Sequence, residues 1–261
     1  MNIILDIDGT ICFDGRHIDK RIIERLSSLH NMGRRIIFAS ARPIRDLLPV
    51  LPTQFHEFTL IGGNDSIISE NNHIQTLATI INEDFALIKE IIEKYNLNYI
   101  IDDDWNYAAE VATTHTIYQR LDPHRLAQKL SINDIQSPIK TILLNIRQDN
   151  FKDIATYLAT NGKQLELINH SNELNIDITA KSINKYFAIA HILGTNPIYI
   201  AFGNDHNDIK MLNHAQAAYF INDGKTSASL FENENSFTIV EANVNSVSKA
   251  LDVLISRYKD S

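Results

Sequence analysis

The stretch Ile3-Ile4-Leu5-Asp6-Ile7-Asp8-Gly9-Thr10 decides how the chain is read. Its apolar run, starting almost at the first residue, has the pattern of a buried parallel strand. The run ends in two carboxylates one residue apart, followed by Gly-Thr. Side chains i and i+2 of a strand project to the same side, so Asp6 and Asp8 are expected to converge beyond its carboxyl end. Carboxylates that close repel each other, and are tolerable when a divalent cation lies between them or one is protonated and serves as an acid. Turn chemistry alone accounts for Asp8-Gly9 but gives no reason for Asp6 inside the apolar run.

The chain has 261 residues, which suits one large domain or a core carrying an inserted second one. A hydrophobic fraction of 44% and a charged fraction of 21% are those of a soluble globular protein. With 24 Lys and Arg against 32 Asp and Glu the formal net charge is −8. So acidic a chain is not expected to bind nucleic acid or an anionic membrane through its general surface, and an anionic substrate needs local Lys, Arg or metal. Cys12 is the only cysteine, which excludes an intrachain disulfide. No basic segment precedes the first apolar run, and no run approaches a membrane span, so a cytoplasmic location is the expectation.

Downstream, the spacing of Ile22, Ile23, Leu26 and Leu29 predicts a helix from Asp19 to Met32 stopped by Gly33. Arg35 to Ala39 reads as a second strand. It runs into Ser40-Ala41-Arg42-Pro43, with Pro43 opening a helix to Leu48. A hydroxyl at a strand end followed by backbone donors makes an anion cradle, although Ser40 taken alone reads rather as an N-cap. Phe58 to Ile61 reads as a third strand, followed by a Gly62-Gly63-Asn64-Asp65 turn and a hairpin reaching His73-Ile74.

From 80 to 169 the pattern changes, and residues 80–169 are expected to form an inserted α/β unit, with 1–79 and 170–261 making the core. Within it, Asn82 is expected to cap a helix bearing Phe85, Ile88, Ile91, Ile92 and Tyr95. Strands are expected at Tyr99-Ile100-Ile101, Thr141 to Ile146 and Gln164 to Ile168, and a helix at Phe151 to Ala159. Asp102-Asp103-Asp104 reads as a solvated acidic loop, because adjacent side chains alternate in direction.

Back in the core, a strand at Asn175 to Thr179 leads to Ala180-Lys181-Ser182-Ile183-Asn184-Lys185 and a helix ended by Gly194. A buried strand, Ile198 to Phe202, runs into Gly203-Asn204-Asp205-His206-Asn207-Asp208. Strands at Ala217 to Ile221 and Phe237 to Val240 and a helix from Val244 to Tyr258 close the chain. Strands alternating with helices predict an α/β fold, a doubly wound parallel sheet with sites beyond the carboxyl ends of its strands. Two acids, a hydroxyl, a lysine and an acid-amide cluster at four such ends suit phosphoryl transfer with a hard cation. Mg²⁺ prefers these oxygen donors, whereas the ten histidines show no zinc-type spacing and His206 reads as a bystander.

These residues carry a resemblance. Asp6-Ile7-Asp8-Gly9-Thr10 resembles the first motif of the haloacid dehalogenase-like hydrolase superfamily, Ser40-Ala41-Arg42 its second, Lys185 its third, and Gly203 to Asp208 its fourth. The order is the family's and spans nearly the whole chain, and the insert resembles the type-two cap of Cof-type sugar phosphatases around a Rossmann-like core. The resemblance implies Asp6 as the nucleophile that becomes an aspartyl phosphate, and Asp8 as the acid that protonates the leaving oxygen and then activates water. It implies Ser40, Ala41, Arg42 and Lys185 around the phosphoryl group, with Mg²⁺ on Asp6, the Asp8 carbonyl and the fourth motif through Asn204 and Asp208. Lys181 competes with Lys185 for the lysine role, and the family's pattern favours Lys185. The expected substrate is a small phosphorylated metabolite, preferably a sugar phosphate. A phosphomutase and a non-catalytic phospho-ligand binder are the alternatives. Three positions depart from the family: Ala41 and Tyr186 replace glycines, and Asn204 stands where a metal-binding aspartate is usual.

Overall fold

The Ile3 to Leu5 run forms strand β1, Asn2–Asp6, and every residue from Ile3 to Asp6 is buried. The structure is a computed structural model that describes residues 1–224 and 236–259. Helix α1, Lys20–Asn31, is capped by the Asp19 carboxylate, which accepts from Arg21 N, and buries Ile22, Leu26 and Leu29. Gly33, at a φ of +76°, turns the chain out of it. Then follow β2 (Arg35–Ala39), the single turn α2 (Ile44–Leu47), β3 (Thr59–Gly62), and the hairpin of β4 (Ile67–Glu70) and β5 (His73–Thr76).

The middle of the chain comprises α3 (Asn82–Tyr95), β6 (Asn98–Asp102), β7 (Tyr107–Glu110), β8 (Lys129–Leu130), β9 (Lys140–Leu144), α4 (Gln148–Asn161), β10 (Leu165–His170) and β11 (Asn175–Ala180). The C-terminal part contains α5 (Lys185–Leu193), β12 (Tyr199–Gly203), α6 (Ile209–Asn213), β13 (Ala217–Asn222), β14 (Ser236–Glu241) and α7 (Val244–Lys259).

Two sheets result. The first has eight strands in the order β14-β13-β12-β1-β2-β3-β4-β5, parallel from β14 through β3, with the β4-β5 hairpin antiparallel at one edge. Alternation along β1 sends Ile3 and Leu5 to the face covered by α1 and α7, through Leu26, Leu29, Leu251 and Leu254. Ile4 goes to the other face, against Ala188, Ile189, Met211 and Leu212 of α5 and α6. Both faces are apolar because both are covered, which is why β1 reads as a continuous run. Each fully buried Leu or Ile contributes about 1.5–3 kcal/mol relative to exposure.

The second sheet has six strands, β10-β11-β9-β6-β7-β8. On one face lies an apolar layer that includes Phe85, Ile88, Ile154 and Leu158 from α3 and α4. The opposite face carries a smaller cluster that includes Ile100, Tyr107, Ala109 and Leu144. β11 pairs antiparallel with both β10 and β9. The inserted unit therefore runs to Ala180 rather than ending at 169, because Asn175 to Thr179 is the second arm of a hairpin begun by β10.

Two local expectations also change. Ile81 occupies the N-cap position of α3 and no side chain caps it, so Asn82 lies inside the helix. Asp102 is not part of a solvated loop: as the last residue of β6 it is buried and bonded to Arg45 of α2. Arg45 is itself fully buried, donates to the Trp105 carbonyl at 2.9 Å, and lies 3.4 Å from Asp46 through Nε. Asp46 in turn accepts from Asp122 N at 2.8 Å. One buried guanidinium thus joins α2 of the core to the end of β6 in the insert. Among the described residues, no helix is long and apolar enough to cross a membrane.

Candidate active site

Register brings the predicted motifs together. Asp6 ends β1 and pairs in register with Ala39 of β2, so Ser40 lies one residue beyond it on one side. On the other side Leu5 pairs with Phe202 of β12, which places Gly203 and the loop after it beside Asp6. Directly after β1 the Ile7 carbonyl accepts from Thr10, Ile11 and Cys12 N, a tight turn that needs Gly9 at a φ of +81°. A Cβ on Gly9 would lie 2.3 Å from the Asn204 side-chain amide, and one on Gly203 would lie 2.7 Å from Asp208. Both glycines therefore permit close approach as well as the turn.

At the centre, the Lys185 ammonium bridges two carboxylates. Nζ donates to Asp6 Oδ1 and to Asp208 Oδ1, the latter at 2.5 Å, and all three side chains are buried. Lys185 opens α5, where the Asn184 side chain caps the helix by accepting from Phe187 N at 3.1 Å. Lys181, its rival by sequence, is exposed, and its backbone bonds to Gln164 at the edge of the second sheet. Burial opposes the charge on Lys185, but Asp208, Asp6 and Asp65 outweigh it and push the ammonium above its ordinary range. Burial, reinforced by Asp208, pushes the Asp6 carboxyl up to about 7 against the pull of Lys185.

The two acids of the first motif sit in different surroundings: Asp6 is buried and bonded to Lys185, while Asp8 lies past the strand end and is exposed. Arg42 grips Asp8 with a two-pronged contact, Nε to Oδ2 at 2.9 Å and Nη2 to Oδ1 at 2.6 Å, and also donates to the Gly15 carbonyl at 2.8 Å. Ser40 is buried, and its Oγ accepts from Arg42 N at 3.1 Å, so it orders the turn that aims Arg42.

Asp208 is tied to the lysine and to its own loop: its Oδ1 takes Lys185, and its Oδ2 accepts from Asn204 N at 2.8 Å and Asp205 N at 3.1 Å. Asp205 is exposed and accepts from His206 N at 2.6 Å, and His206 is exposed as well.

Asn204 does face Asp6 and the Asp8 carbonyl. Its Oδ1 accepts from Thr10 Oγ1 at 3.0 Å and lies 3.1 Å from Asp6 Oδ2 and 3.0 Å from the Asp8 carbonyl oxygen, so three oxygens converge on one another there. Thr10 Oγ1 donates to Asp6 Oδ2 at 3.0 Å, a role that the motif spacing alone did not assign.

The donor set suits a hard divalent ion: Asp6 Oδ2, the Asp8 carbonyl and Asn204 Oδ1 converge as three oxygens. Asp65 was not singled out for the site. It sits at a φ of +72° in the turn after β3, is buried, and has Oδ1 without a hydrogen-bond partner. Burial pushes its carboxyl up to about 7, with Lys185 pulling it down.

A cavity of about 390 Å³ opens between the core and the insert, lined by Asp8 and Arg42 from the core and by Ile100, Arg120, Lys140 and Asp177 from the second unit. Lys140 pairs with Asp177 at 2.9 Å and donates to Asn64 Oδ1 at 3.3 Å, which links the wall to the core turn.

The family model for haloacid dehalogenase-like hydrolases matches residues 3–251, which contain every group just described. The chain belongs to this family. Its overall structure is similar to a haloacid dehalogenase-like hydrolase from Bacteroides thetaiotaomicron, with 17% identity, 97% and 98% of the two chains covered and a TM-score of 0.80. It is also similar to SMU.1108c from Streptococcus mutans UA159, with 24% identity, 100% and 99% coverage and a TM-score of 0.74. The subclass IIB sugar phosphatase BT4131 matches at 18% identity, 97% and 98% coverage and a TM-score of 0.72. A search of curated proteins finds no match. As in these hydrolases, the core is an α/β sheet with an inserted α/β cap, and the Asp6-Lys185-Asp208 cluster lies at the carboxyl end of the core sheet under that cap.

Proposed function

We propose that the chain is a Mg²⁺-dependent phosphatase that hydrolyses a small phosphorylated metabolite, with a sugar phosphate favoured. The observation that carries this reading is the Lys185 bridge between Asp6 and Asp208, next to Thr10. The Asp6 carboxylate attacks phosphorus as the ester bond to the leaving oxygen breaks, giving an aspartyl phosphate. Asp8 supplies the proton to that oxygen. It then takes a proton from water as the water attacks phosphorus, which releases inorganic phosphate and restores Asp6. Lys185 pulls the Asp6 carboxyl back toward its ionised form and, with the Ser40 turn, faces the charge carried by the transferring group.

Arg42 holds Asp8 by both oxygens, so the acid is aimed but engaged, and delivery of the proton requires this grip to loosen as substrate enters. Asp6, the Asp8 carbonyl and Asn204 Oδ1 would hold Mg²⁺, which would supply charge neutralisation between phosphate and carboxylate. The cavity of about 390 Å³ suits a metabolite rather than a macromolecule, and its Arg120, Lys140 and Asp177 give polar partners to a hydroxylated leaving group. The structural likeness to a sugar phosphatase supports the same choice. In this reading residues 82–180 act as a lid that shields the phosphoenzyme and selects the ester.

The test is phosphate release from a broad panel of sugar and other small phosphate esters, with Mg²⁺ and with chelator. Turnover of at least one sugar phosphate that depends on Mg²⁺ is expected. Tight phosphate binding without turnover of any ester would replace the enzyme by a phospho-ligand binder. Interconversion of hexose phosphates without phosphate release would replace it by a mutase.

A further inference from the structure

A second cavity, of about 440 Å³, lies against the first and shares Arg42, Asp46 and Arg120 with it as a common wall. Arg16 and His17 line it from the core, and Arg120 and His124 from the insert. The geometry points to an anion subsite here, which takes a second acidic group, a phosphate or a carboxylate, on the leaving side of the ester. The inference rests on the phosphatase reading above, and it narrows the substrate to esters that carry two anionic groups.

Three observations lead there. The first is a charge opposite to that of the chain. The protein carries a net −8, yet three guanidiniums border this cavity, those of Arg16, Arg42 and Arg120. Among the described residues, the Arg16 and Arg120 side chains have neither a carboxylate partner nor a hydrogen bond. The acids nearby are engaged by other groups. Asp14 Oδ1 accepts from Arg16 N and His17 N, both at 2.7 Å, and Asp46 lies against Arg45 and accepts from Asp122 N. Two positive charges are thus left to face the cavity, where they raise the local concentration of anions.

The second is convergence. Gly15, at a φ of +69°, leaves open a point where a Cβ would lie 3.5 Å from Arg42 Nη2 and 3.9 Å from Arg120 Nη1. Guanidiniums from the core and from the insert therefore approach one place. Like charges repel there, and an anion between them turns that repulsion into charge-assisted hydrogen bonding.

The third is position. Arg42 belongs to both cavities: its fork holds Asp8 on the catalytic side, and its Nη2 also donates to the Gly15 carbonyl. A substrate whose phosphoryl group is at Asp6 and whose second anion is beside Arg120 reaches across this wall. That anion competes with Asp8 for the Arg42 fork, so binding of the correct ester frees the acid that must deliver the proton.

The experiment compares kcat/KM for matched esters that differ in the second acidic group, at low and at high salt. One pair is a hexose bisphosphate and the hexose monophosphate; the other is a phosphorylated sugar acid and the corresponding aldose phosphate. Wild type should favour the doubly anionic member of at least one pair by about tenfold or more, the scale of a hydrogen bond to a charged group, and salt should erode the preference. Which pair shows it tells a phosphate from a carboxylate. In the double variant Arg16→Gln, Arg120→Gln the preference should shrink to about threefold or less, chiefly through KM.

Equal kcat/KM within both pairs for wild type, or a preference that survives intact in the double variant, would overturn the subsite. The wild-type comparison and its salt dependence decide this even if the variant does not fold. Failure of the functional reading looks different, because no ester of either pair then releases phosphate, and the subsite falls with it. Hydrolysis that ignores the second acidic group would overturn the inference about the basic cavity alone.

Discussion

Replacing Arg45 with Met should destabilise the protein by about 3–5 kcal/mol, the usual loss when one member of a buried ion pair is removed and its partner stays. Arg45 is fully buried and is flanked by two buried carboxylates, Asp102 and Asp46. Methionine keeps much of the stem's packing, so the loss reports charge more than volume.

The same cluster sets a pH signature. Burial, pulled back by Arg45 and reinforced by Asp102, raises the Asp46 carboxyl from 3.8 to about 7. A carboxyl raised by folding contributes stability that is full below its unfolded value and lost as pH rises through its folded one. Wild-type stability should therefore fall between about pH 4 and pH 7, by at most roughly 4 kcal/mol for a shift near three units. Without Arg45, Asp46 rises further and its window extends above pH 7. The deficit of the variant should then widen above neutrality, by at most about 1.4 kcal/mol per pH unit. Urea unfolding of both proteins at about pH 6 and about pH 8.5 measures this directly. The double variant with Asp102→Asn should recover part of the loss. A deficit below about 1 kcal/mol, or one that is the same at both pH values, would refute the claim that Arg45 is the charge that holds core and cap together.

Other outcomes follow from the site. Lys185→Met should lower kcat by about 10²–10³, the scale for removing one stabilising donor, and Lys185→Arg should not restore it because the planar fork cannot occupy the point between Asp6 and Asp208; steady-state kinetics on the best ester decides. Arg42→Lys removes the two-pronged hold on Asp8 and should reduce kcat more than it raises KM, whereas a change in KM alone would place Arg42 in substrate binding only. Arg120→Ala should raise KM for esters with an anionic leaving group and leave neutral ones nearly unchanged, since Arg120 lines the cavity from the cap side; an equal effect on both would remove it from substrate recognition.

Much of this architecture was legible because the signals were local. β1 declares itself as a run without alternation because both faces of its sheet are covered, and Asp6 stands out against that run. Ser40, Lys185 and the Asn204 to Asp208 loop each lie at a strand end or helix start, where sequence punctuation is strong. What sequence misread depended on partners far along the chain. Asp102 looked like one of three solvated acids, and only the approach of Arg45 from α2 explains its burial. The strand at Asn175–Ala180 was visible, but its alternation does not say which sheet it joins; pairing with β10 and β9 does. Short strands such as β7 and β8 lack the length for a periodic signal. The convergence of the Asn204 side chain with Asp6 Oδ2 and the Asp8 carbonyl is set by the fold, and no spacing rule encodes it.

The central claim is that Asp6 carries the phosphoryl group. Rapid mixing of the enzyme with a turned-over ester, acid quench, and borohydride reduction converts an aspartyl phosphate to homoserine at the modified position, which peptide mass spectrometry locates. The account predicts homoserine at position 6 in wild type, none without substrate, and neither homoserine nor phosphate release from Asp6→Asn, whose amide is close in shape but cannot attack phosphorus. Phosphate release by Asp6→Asn at the wild-type rate, or homoserine at another aspartate, would contradict it.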